Sequence, residues 1–382
     1  MNPPLPHVHW TDDDGQTHTV RWRSLAGHAP PAQLRMVGDE LGADDAVRLA
    51  RAGTGLLWVG DYQNARHLLQ AMGRRLERTP AANPRLRPGA PLAQVFAQQR
   101  QVQAERARVL GALLLPFDAD HGVPLRRAPD VRAAGLEAHG PVEGHYVASL
   151  RELLGLVGAH EWRKKGVAIA ALGSTIHPHH GVFSPVRGEY IELVAKAPLP
   201  AAARAHGAFD IGTGTGVLAA VLARRGLKVL ATDLDERALA CARDNLARLK
   251  LDRQVSVQPA DMFPEGRAGL VLCNPPWVPA QPASPLEAAV YDPDSRMLRA
   301  YLAGLAAHLA PGGEGWLILS DLAEHLGLRR RDELQGWVAA GGLRVIARMD
   351  TRPQHKRVAD ADDPLHAARA AEITSLWRLA AA

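Results

Sequence analysis

The chain of 382 residues has very little cysteine and no long apolar run. Its only cysteines, Cys241 and Cys273, lie in apolar or helical patterns, which excludes the disulfide framework of small secreted domains. No apolar stretch reaches the roughly 18–20 residues that a membrane-spanning helix needs. The first residues, MNPPLPHVHW, lack the basic and then apolar pattern of a secretory signal. We therefore expect a cytoplasmic protein that does not enter a membrane.

Lysine is also scarce, although the formal net charge is +5. The cations are nearly all arginine and are scattered, with small clusters at 162–165 and 329–331. Scattered cations favour a solvated surface, so a nucleic-acid partner stays possible but is not selected by charge. With 47% hydrophobic and 22% charged residues, the composition is that of a globular protein with room for two domains.

Residues 1–165 carry no chemical motif, and their pattern predicts a mainly helical accessory domain that recognises the substrate. HVHW and TVRW flank the turn-rich TDDDGQ and predict an N-terminal hairpin. Helical periodicity follows across 38–78, 93–115 and 128–160, with a Pro-rich connection at 79–91.

After residue 165 the pattern changes to alternating strands and helices. Residues 166–204 contain short β-type runs and predict a linker segment that covers the site. The domain 205–382 follows, with a final antiparallel pair. Its predicted strands are 208–211, 228–233, 255–261, 269–276, 315–321, 343–350 and 372–380. Such alternation predicts an α/β fold with a Rossmann-like, doubly wound sheet of seven strands and ligands at the strands' carboxyl ends.

A glycine loop follows the first of these strands in the sequence FDIGTGTGV, which contains Gly212, Gly214 and Gly216. No lysine follows the glycines, so a P-loop for ATP is excluded. The spacing also differs from the dinucleotide G-x-G-x-x-G, and the carboxylate of Asp210 would repel a pyrophosphate. A carboxylate suits an ammonium group instead, which favours S-adenosylmethionine.

Two further acids end the next strands. Asp233 is placed to accept hydrogen bonds from both ribose hydroxyls of a nucleoside. Asp261 is placed to accept from the exocyclic amine of adenine, with Met262 and Phe263 beside the ring. A helix cap or loop acid is the alternative for each carboxylate.

With these motifs, residues from about 180 to 380 resemble a class I S-adenosylmethionine-dependent methyltransferase. DIGTGTG resembles the cofactor loop of that family. TDLD resembles the segment that carries its ribose-binding acid, and Ala260-Asp261-Met262 resembles the segment that contacts adenine. The cofactor-binding residues that the resemblance implies are Asp210, Gly212, Thr213, Gly214, Gly216, Asp233, Leu234, Asp261, Met262 and Asn274. The substrate motif of such families follows the fourth strand, which here ends in Asn274-Pro275-Pro276-Trp277.

Asn-Pro-Pro-Trp resembles the signature of enzymes that methylate planar nitrogens. The lone pair of an amide or a ring amine is delocalised, so the nitrogen must be held with that lone pair aimed at the methyl group. The Asn274 side-chain oxygen and the Pro275 carbonyl can accept its N–H groups, and the prolines fix the backbone. Trp277 offers a ring face for stacking on a flat acceptor. We therefore predict that Asn274, Pro275, Pro276 and Trp277 are catalytic.

The arrangement of the chain resembles that of release-factor glutamine methyltransferases, which also carry an N-terminal helical domain. This resemblance implies that the methyl acceptor is a protein glutamine. Pro185-Val186-Arg187 resembles the linker of that family, with one extra residue between Pro and Arg. The candidate substrate contacts are Phe183, Arg187, Tyr291, Asp292 and Arg296, with a helix cap as the alternative for the last three. Methylation of an adenine or guanine in RNA or DNA, or of a small-molecule nitrogen, remains open, as does an inactive scaffold.

His177, His179 and His180 lie close together in TIHPHHGVF and are candidate metal ligands. Their spacing matches no standard zinc pattern, and neither cysteine has a partner nearby. We expect no metal.

Overall fold

A computed structural model describes residues 6–12, 14–78, 89–185, 188–283, 285–353, 360 and 363–382. Arg187, one of the predicted substrate contacts, lies outside these residues. The chain forms two compact units, one of residues 1–90 with 96–161 and one of residues 91–95 with 162–382. Among the helices described, none is long and apolar enough to cross a membrane.

Among its described residues, the first part of the chain contains six strands and five helices. They are β1 (His7–Thr11), β2 (Thr17–Trp22), β3 (Gln33–Val37), α1 (Ala43–Arg51), β4 (Thr54–Trp58), α2 (Tyr62–Glu77), α3 (Leu92–Gly111), β5 (Leu113–Phe117), α4 (Arg132–His139), β6 (Tyr146–Ser149) and α5 (Leu150–Lys165). The strands form one sheet in the order β1-β2-β6-β5-β4-β3, in which β3, β4 and β5 run parallel. β1 and β2 pair antiparallel around the predicted turn, with Val8 opposite Val20.

A six-stranded sheet accompanies the helices of this part of the chain, and the prediction of a mainly helical domain did not include it. β4, β5 and β6 read TGLLW, LLLPF and YVAS, and their residues are almost all buried. A strand that is buried on both faces shows no alternation of apolar and polar residues. Such short apolar runs cannot be separated from the adjoining helical patterns by periodicity alone.

The second unit contains the predicted alternating elements. They are β7 (Val167–Ile169), β8 (Ser174–Ile176), α6 (Glu189–Lys196), α7 (Ala201–His206), β9 (Ala208–Ile211), α8 (Val217–Arg224), β10 (Val229–Asp233), α9 (Glu236–Arg248), β11 (Val255–Pro259), β12 (Ala268–Cys273), α10 (Arg296–His308), β13 (Leu309–Ser320), α11 (Leu322–His325), α12 (Arg331–Ala340), β14 (Leu343–Thr351), α13 (His366–Ala371) and β15 (Thr374–Ala381).

The predicted linker, residues 166–204, contains the short antiparallel pair β7 and β8 but is not a detached connection. Its second β-type run is the helix α6. Ile176 and Val194 are fully buried in the same core cluster as helix α8. Apolar side chains of α6 fill one face of the sheet, and the role of residues 166–204 as a cover of the site stays a prediction.

The large sheet has seven strands in the order β11-β10-β9-β12-β13-β15-β14, with β15 antiparallel to both of its neighbours. α6 and α8 pack on one face, whereas α10 and α12 pack on the other, so the sheet is doubly wound. Ile211 at the end of β9 lies opposite Cys273 of β12 and Thr232 of β10. The segments that follow these three strands therefore meet at one edge of the sheet.

Candidate active site

The glycine loop begins directly after β9 and ends at Gly216, the N-cap of α8. Gly212, Gly214 and Gly216 all have positive φ, at 71°, 54° and 78°, a region that favours glycine. A Cβ on Gly212 would lie 2.6 Å from the Met297 Cε atom, and one on Gly216 would lie 3.2 Å from the Ala242 backbone. None of the described atoms comes within 4 Å of a Cβ built on Gly214. Two glycines therefore permit close packing, and the middle one faces open space.

Asp210 holds this loop from within the sheet. Its side chain is buried, and its Oδ2 atom accepts hydrogen bonds from the Thr213 hydroxyl at 2.6 Å and the Ala219 N–H at 3.1 Å. Burial raises the pKa of Asp210 to about 6; the two hydrogen bonds oppose this shift, and the charge of Asp233 adds to it. The structure thus gives Asp210 a role in shaping the loop, and its contact with an ammonium group stays a prediction.

Asp233 connects the end of β10 to the glycine loop. Its Oδ2 atom accepts from the Gly214 N–H at 2.9 Å, and its Oδ1 atom accepts from the Asp235 N–H at 3.0 Å. A carboxylate has about four acceptor positions, so these two bonds leave capacity for further donors such as hydroxyls. The next residue, Leu234, is 66% exposed, which places an apolar side chain beside this carboxylate at the surface.

The segment after β11 differs partly from the prediction. Asp261 is exposed and lies 3.6 Å from Arg296, a weak ion pair because both side chains are solvated. Met262 has a φ of 77°, and its carbonyl accepts from the Thr232 hydroxyl at 3.0 Å. Phe263 stacks on His308 of α10, with ring centroids 4.2 Å apart. The contact of Phe263 with α10 is observed, whereas its packing beside adenine stays a prediction.

Asn-Pro-Pro-Trp leaves β12 at the same sheet edge. The Trp277 indole nitrogen donates to the Asn274 side-chain oxygen at 2.9 Å. An indole N–H is only a donor, so it determines which end of the Asn274 amide is the oxygen. The Trp277 ring meets the edge of Tyr190, a buried residue of α6, with centroids 6.1 Å apart. Stacking of a substrate on Trp277 stays a prediction, whereas its contacts with Asn274 and Tyr190 are observed.

The carboxylate of Asp292 caps helix α10, which is the alternative given for it from the sequence, and its contact with a substrate stays a prediction. Its buried carboxylate accepts from the backbone N–H groups of Met297 at 2.9 Å and Leu298 at 3.2 Å, at the start of α10. Burial raises the pKa of Asp292, although these hydrogen bonds favour the ionised form. The preceding residue, Tyr291, forms an isolated parallel bridge with Val278, one residue after the Asn-Pro-Pro-Trp segment. Tyr291 therefore lies beside that segment.

The remaining substrate candidates are at the surface of the second unit. Arg296 is mostly exposed, apart from its ion pair with Asp261. Phe183 is 41% exposed, and its neighbour Val182 is buried against Ala238 of α9. Their contact with a substrate stays a prediction.

The histidine loop is tied to α9 by hydrogen bonds. The backbone N–H of His177 donates to the Asn245 side-chain oxygen at 2.7 Å. The Nε2 atom of His179 lies 3.1 Å from an Asp244 carboxylate oxygen. The part of the chain that the structure describes contains no group of three or more His, Cys, Asp or Glu side chains that could hold a metal.

Asn245 is a site residue that the sequence analysis missed. It is 1% exposed, and its amide nitrogen donates to the Thr215 carbonyl in the glycine loop at 3.0 Å. Because its oxygen also accepts from His177, this one side chain connects the cofactor loop to the segment before it. The sequence offered one signal for Asn245: it is a polar residue among the apolar positions of the predicted helix DERALACARDNLARLK.

Comparisons with known proteins identify the class of this domain. Residues 173–328 match the family model described as "Methyltransferase small domain". The release factor glutamine methyltransferase of Cereibacter sphaeroides is 33% identical over 154 residues, which are 36% of this chain and 52% of that protein. The tRNA1(Val) (adenine(37)-N6)-methyltransferase of Serratia proteamaculans is 31% identical over 175 residues, which are 43% of this chain and 65% of that protein. The matches thus span less than two thirds of each relative.

Among solved structures, a methyltransferase from Pyrococcus furiosus has 18% sequence identity and a TM-score of 0.40. The match covers 60% of this chain and 99% of that one.

The residues at the sheet edge fit the cofactor of this class. The backbone at Gly214 is open to a close ligand, the Asp233 carboxylate has acceptor capacity, and Leu234 offers an exposed apolar contact. Residues 173–328 therefore match a methyltransferase domain, and the edge of their doubly wound sheet fits S-adenosylmethionine as the cofactor.

Proposed function

We propose that this protein is an S-adenosylmethionine-dependent N-methyltransferase whose acceptor is the side-chain amide nitrogen of a protein glutamine. The observation that carries the proposal is the place of Asn274-Pro275-Pro276-Trp277 directly after β12. The pairing of Cys273 with Ile211 puts this segment beside the glycine loop. A relative named as a release factor glutamine methyltransferase supports the choice of glutamine.

The cofactor would be held by the loop from Gly212 to Gly216 and by the Asp233 carboxylate, which accepts from its ribose hydroxyls. Leu234 and Met262 would contact the adenine, and Asp261 would accept from its amine. When bound, S-adenosylmethionine supplies an electrophilic methyl group on a sulfonium.

The acceptor nitrogen would be held by two oxygens. Trp277 uses one lone pair of the Asn274 side-chain oxygen, so a second lone pair remains for an acceptor N–H. The Pro275 carbonyl accepts the other N–H, and the ring of Pro276 restricts the backbone that carries it. These two oxygens, by accepting hydrogen bonds, hold the planar nitrogen in one orientation and stabilise the positive charge that develops on it.

The exocyclic amine of adenine is a second candidate acceptor, because it presents the same planar NH₂ group. The alignment with the tRNA adenine methyltransferase of Serratia proteamaculans covers more of this chain than the alignment with the glutamine enzyme. In either case we propose that the first unit recognises the molecule that carries the acceptor.

The test is transfer of a tritiated methyl group from S-adenosylmethionine to separated protein, RNA and small-molecule fractions of a lysate. Label on a glutamine, located by peptide mass spectrometry, is the expected result. Label on an RNA adenine would replace glutamine by the second candidate. Absence of transfer with cofactor binding intact by calorimetry would contradict the enzyme and favour a scaffold.

Asn274→Ala provides the matched variant for this test. It removes the acceptor oxygen but leaves the glycine loop and Asp233 unchanged. We expect transfer to fall to background while the affinity for S-adenosylmethionine stays within about twofold, since no loop contact is lost. Retained transfer would contradict the role of Asn274.

A further inference from the structure

Arg329 is one of three consecutive arginines, and it alone is buried. The side chains of Arg330 and Arg331 are 75% and 66% exposed, whereas that of Arg329 is 2% exposed. From sequence, this cluster belongs to the scattered cations of a solvated surface. Moving a guanidinium group out of water is unfavourable, as it is for any ion. The buried position of Arg329 therefore needs interactions that offset this cost.

The compensation consists of two backbone carbonyls and several acids. One Arg329 nitrogen, Nη2, donates to the Ser320 carbonyl at 3.2 Å, and Nη1 donates to the Trp277 carbonyl at 3.5 Å. The Nε atom has no hydrogen-bond partner among the described atoms and lies 4.0 Å from a Glu324 oxygen. Burial lowers the pKa of Arg329, and the charges of Glu324, Glu333, Asp321 and Asp292 oppose that shift.

These two carbonyls lie at the carboxyl ends of neighbouring strands. Ser320 is the last residue of β13, and Trp277 closes the segment after β12, whose Cys273 lies opposite Leu317 of β13. Arg329 therefore connects the chain leaving β12 to the end of β13. It is a fixed contact on the backbone of Trp277, while Tyr190 contacts its ring.

We propose that Arg329 is a positioning residue for methyl transfer and acts on Asn274 through Trp277. With its carbonyl held by Arg329 and its ring held by Tyr190, Trp277 directs its indole N–H at the Asn274 oxygen. Arg329 touches neither cofactor nor acceptor in this proposal. The kinetic part of the inference rests on the proposed function, whereas the conformational part does not.

The first experiment measures the indole N–H of Trp277 by nuclear magnetic resonance in protein labelled with ¹⁵N-tryptophan. The signal is assigned as the one that disappears in Trp277→Phe. In Arg329→Met, which keeps the bulk but loses the donors, we expect this signal to shift or broaden and to exchange faster with water. Arg330→Met is the control, because that side chain is exposed, and its Trp277 signal should match the parent. An unchanged signal in Arg329→Met would overturn the inference, whether or not transfer has been detected.

The second experiment separates positioning from a purely structural role. We expect Arg329→Met to lower kcat about tenfold or more for the folded protein, with the affinity for S-adenosylmethionine unchanged. Arg329→Lys, which keeps a cation and donors, should recover part of kcat. If Arg329→Met does not fold, Arg329→Gln decides, because its shorter neutral side chain cannot reach both carbonyls: a parent-like Trp277 signal together with a parent-like kcat in that variant would overturn the inference. A loss of thermal stability alone, with kcat unchanged, would also overturn it.

Discussion

The indole nitrogen of Trp277 and the side-chain oxygen of Asn274 are joined by a hydrogen bond of 2.9 Å. The two residues stand three positions apart in a segment that contains two prolines, so the backbone between them has little freedom. The bond fixes the orientation of the Asn274 amide. It leaves the amide oxygen one lone pair that can accept an N–H of the nitrogen to be methylated. Phenylalanine at this position could not form it, so Trp277 has a task beyond stacking.

Trp277→Phe should lower kcat with little effect on cofactor binding. The variant keeps an aromatic ring but loses the N–H, so the Asn274 amide can rotate and turn its NH₂ toward the acceptor. A neutral hydrogen bond contributes about 0.5–1.5 kcal/mol, and we expect a decrease in kcat of roughly three- to tenfold. Single-turnover kinetics with saturating S-adenosylmethionine measure this change.

Trp337→Phe is the control for the loss of one indole. Trp337 lies on α12, where its ring contacts Arg299. Its kcat should equal that of the parent. A Trp277→Phe enzyme as fast as the Trp337→Phe enzyme would show that the indole hydrogen bond has no part in transfer.

Asp233→Ala should weaken the binding of S-adenosylmethionine. The change removes the acceptor for the Gly214 N–H and the proposed acceptor for the ribose hydroxyls. Hydrogen bonds to charged groups contribute about 1.5–3 kcal/mol each, so the loss of both ribose contacts should raise Kd by about 100-fold or more, as measured by calorimetry.

Asp235→Ala is the matched control two residues away. Asp235 is the N-cap of α9 and accepts from the Arg237 N–H. Its loss should lower the free energy of unfolding by about 1 kcal/mol without changing Kd. Equal affinities in the Asp233 and Asp235 variants would remove Asp233 from the cofactor site.

The raised pKa of Asp210 predicts a pH-dependent stability. Its pKa of about 6 in the folded protein lies above the ordinary value of 3.8, so between these values the folded state binds more protons than the unfolded state. This contribution to stability is present in full below pH 3.8 and is lost as the pH rises through 6. The loss amounts to about 3 kcal/mol, since one pKa unit corresponds to about 1.4 kcal/mol.

Asp210→Asn removes the titrating group and keeps one oxygen acceptor. The free energy of unfolding of the parent, relative to that of this variant, should therefore be highest near pH 4 and lowest above pH 6. Urea unfolding at several pH values between 4 and 7 measures it. A difference that stays constant over this range would contradict the raised pKa of Asp210.

The elements of the second unit could be predicted because strands there alternate with helices, and a glycine loop, an acid or prolines mark the ends of β9, β10 and β12. In the first unit, β4 and β5 are short apolar runs directly beside helices, so their strand character was hidden. Final pairing of β14 with β15 was foreseen from the absence of a long helix between two apolar runs. The short helix α13 within that connection was not.

The sequence by itself determined the chemistry that is local to a few residues: glycines where φ is positive, acids at strand ends, and two prolines beside Asn274. Tertiary structure decided which charges are buried and what each polar atom touches. Asp292 caps α10, Asn245 reaches the glycine loop, and Arg329 lies behind Trp277. The physical reason is that burial and hydrogen-bond partners come from segments far apart in the chain, which the parallel sheet brings to one edge.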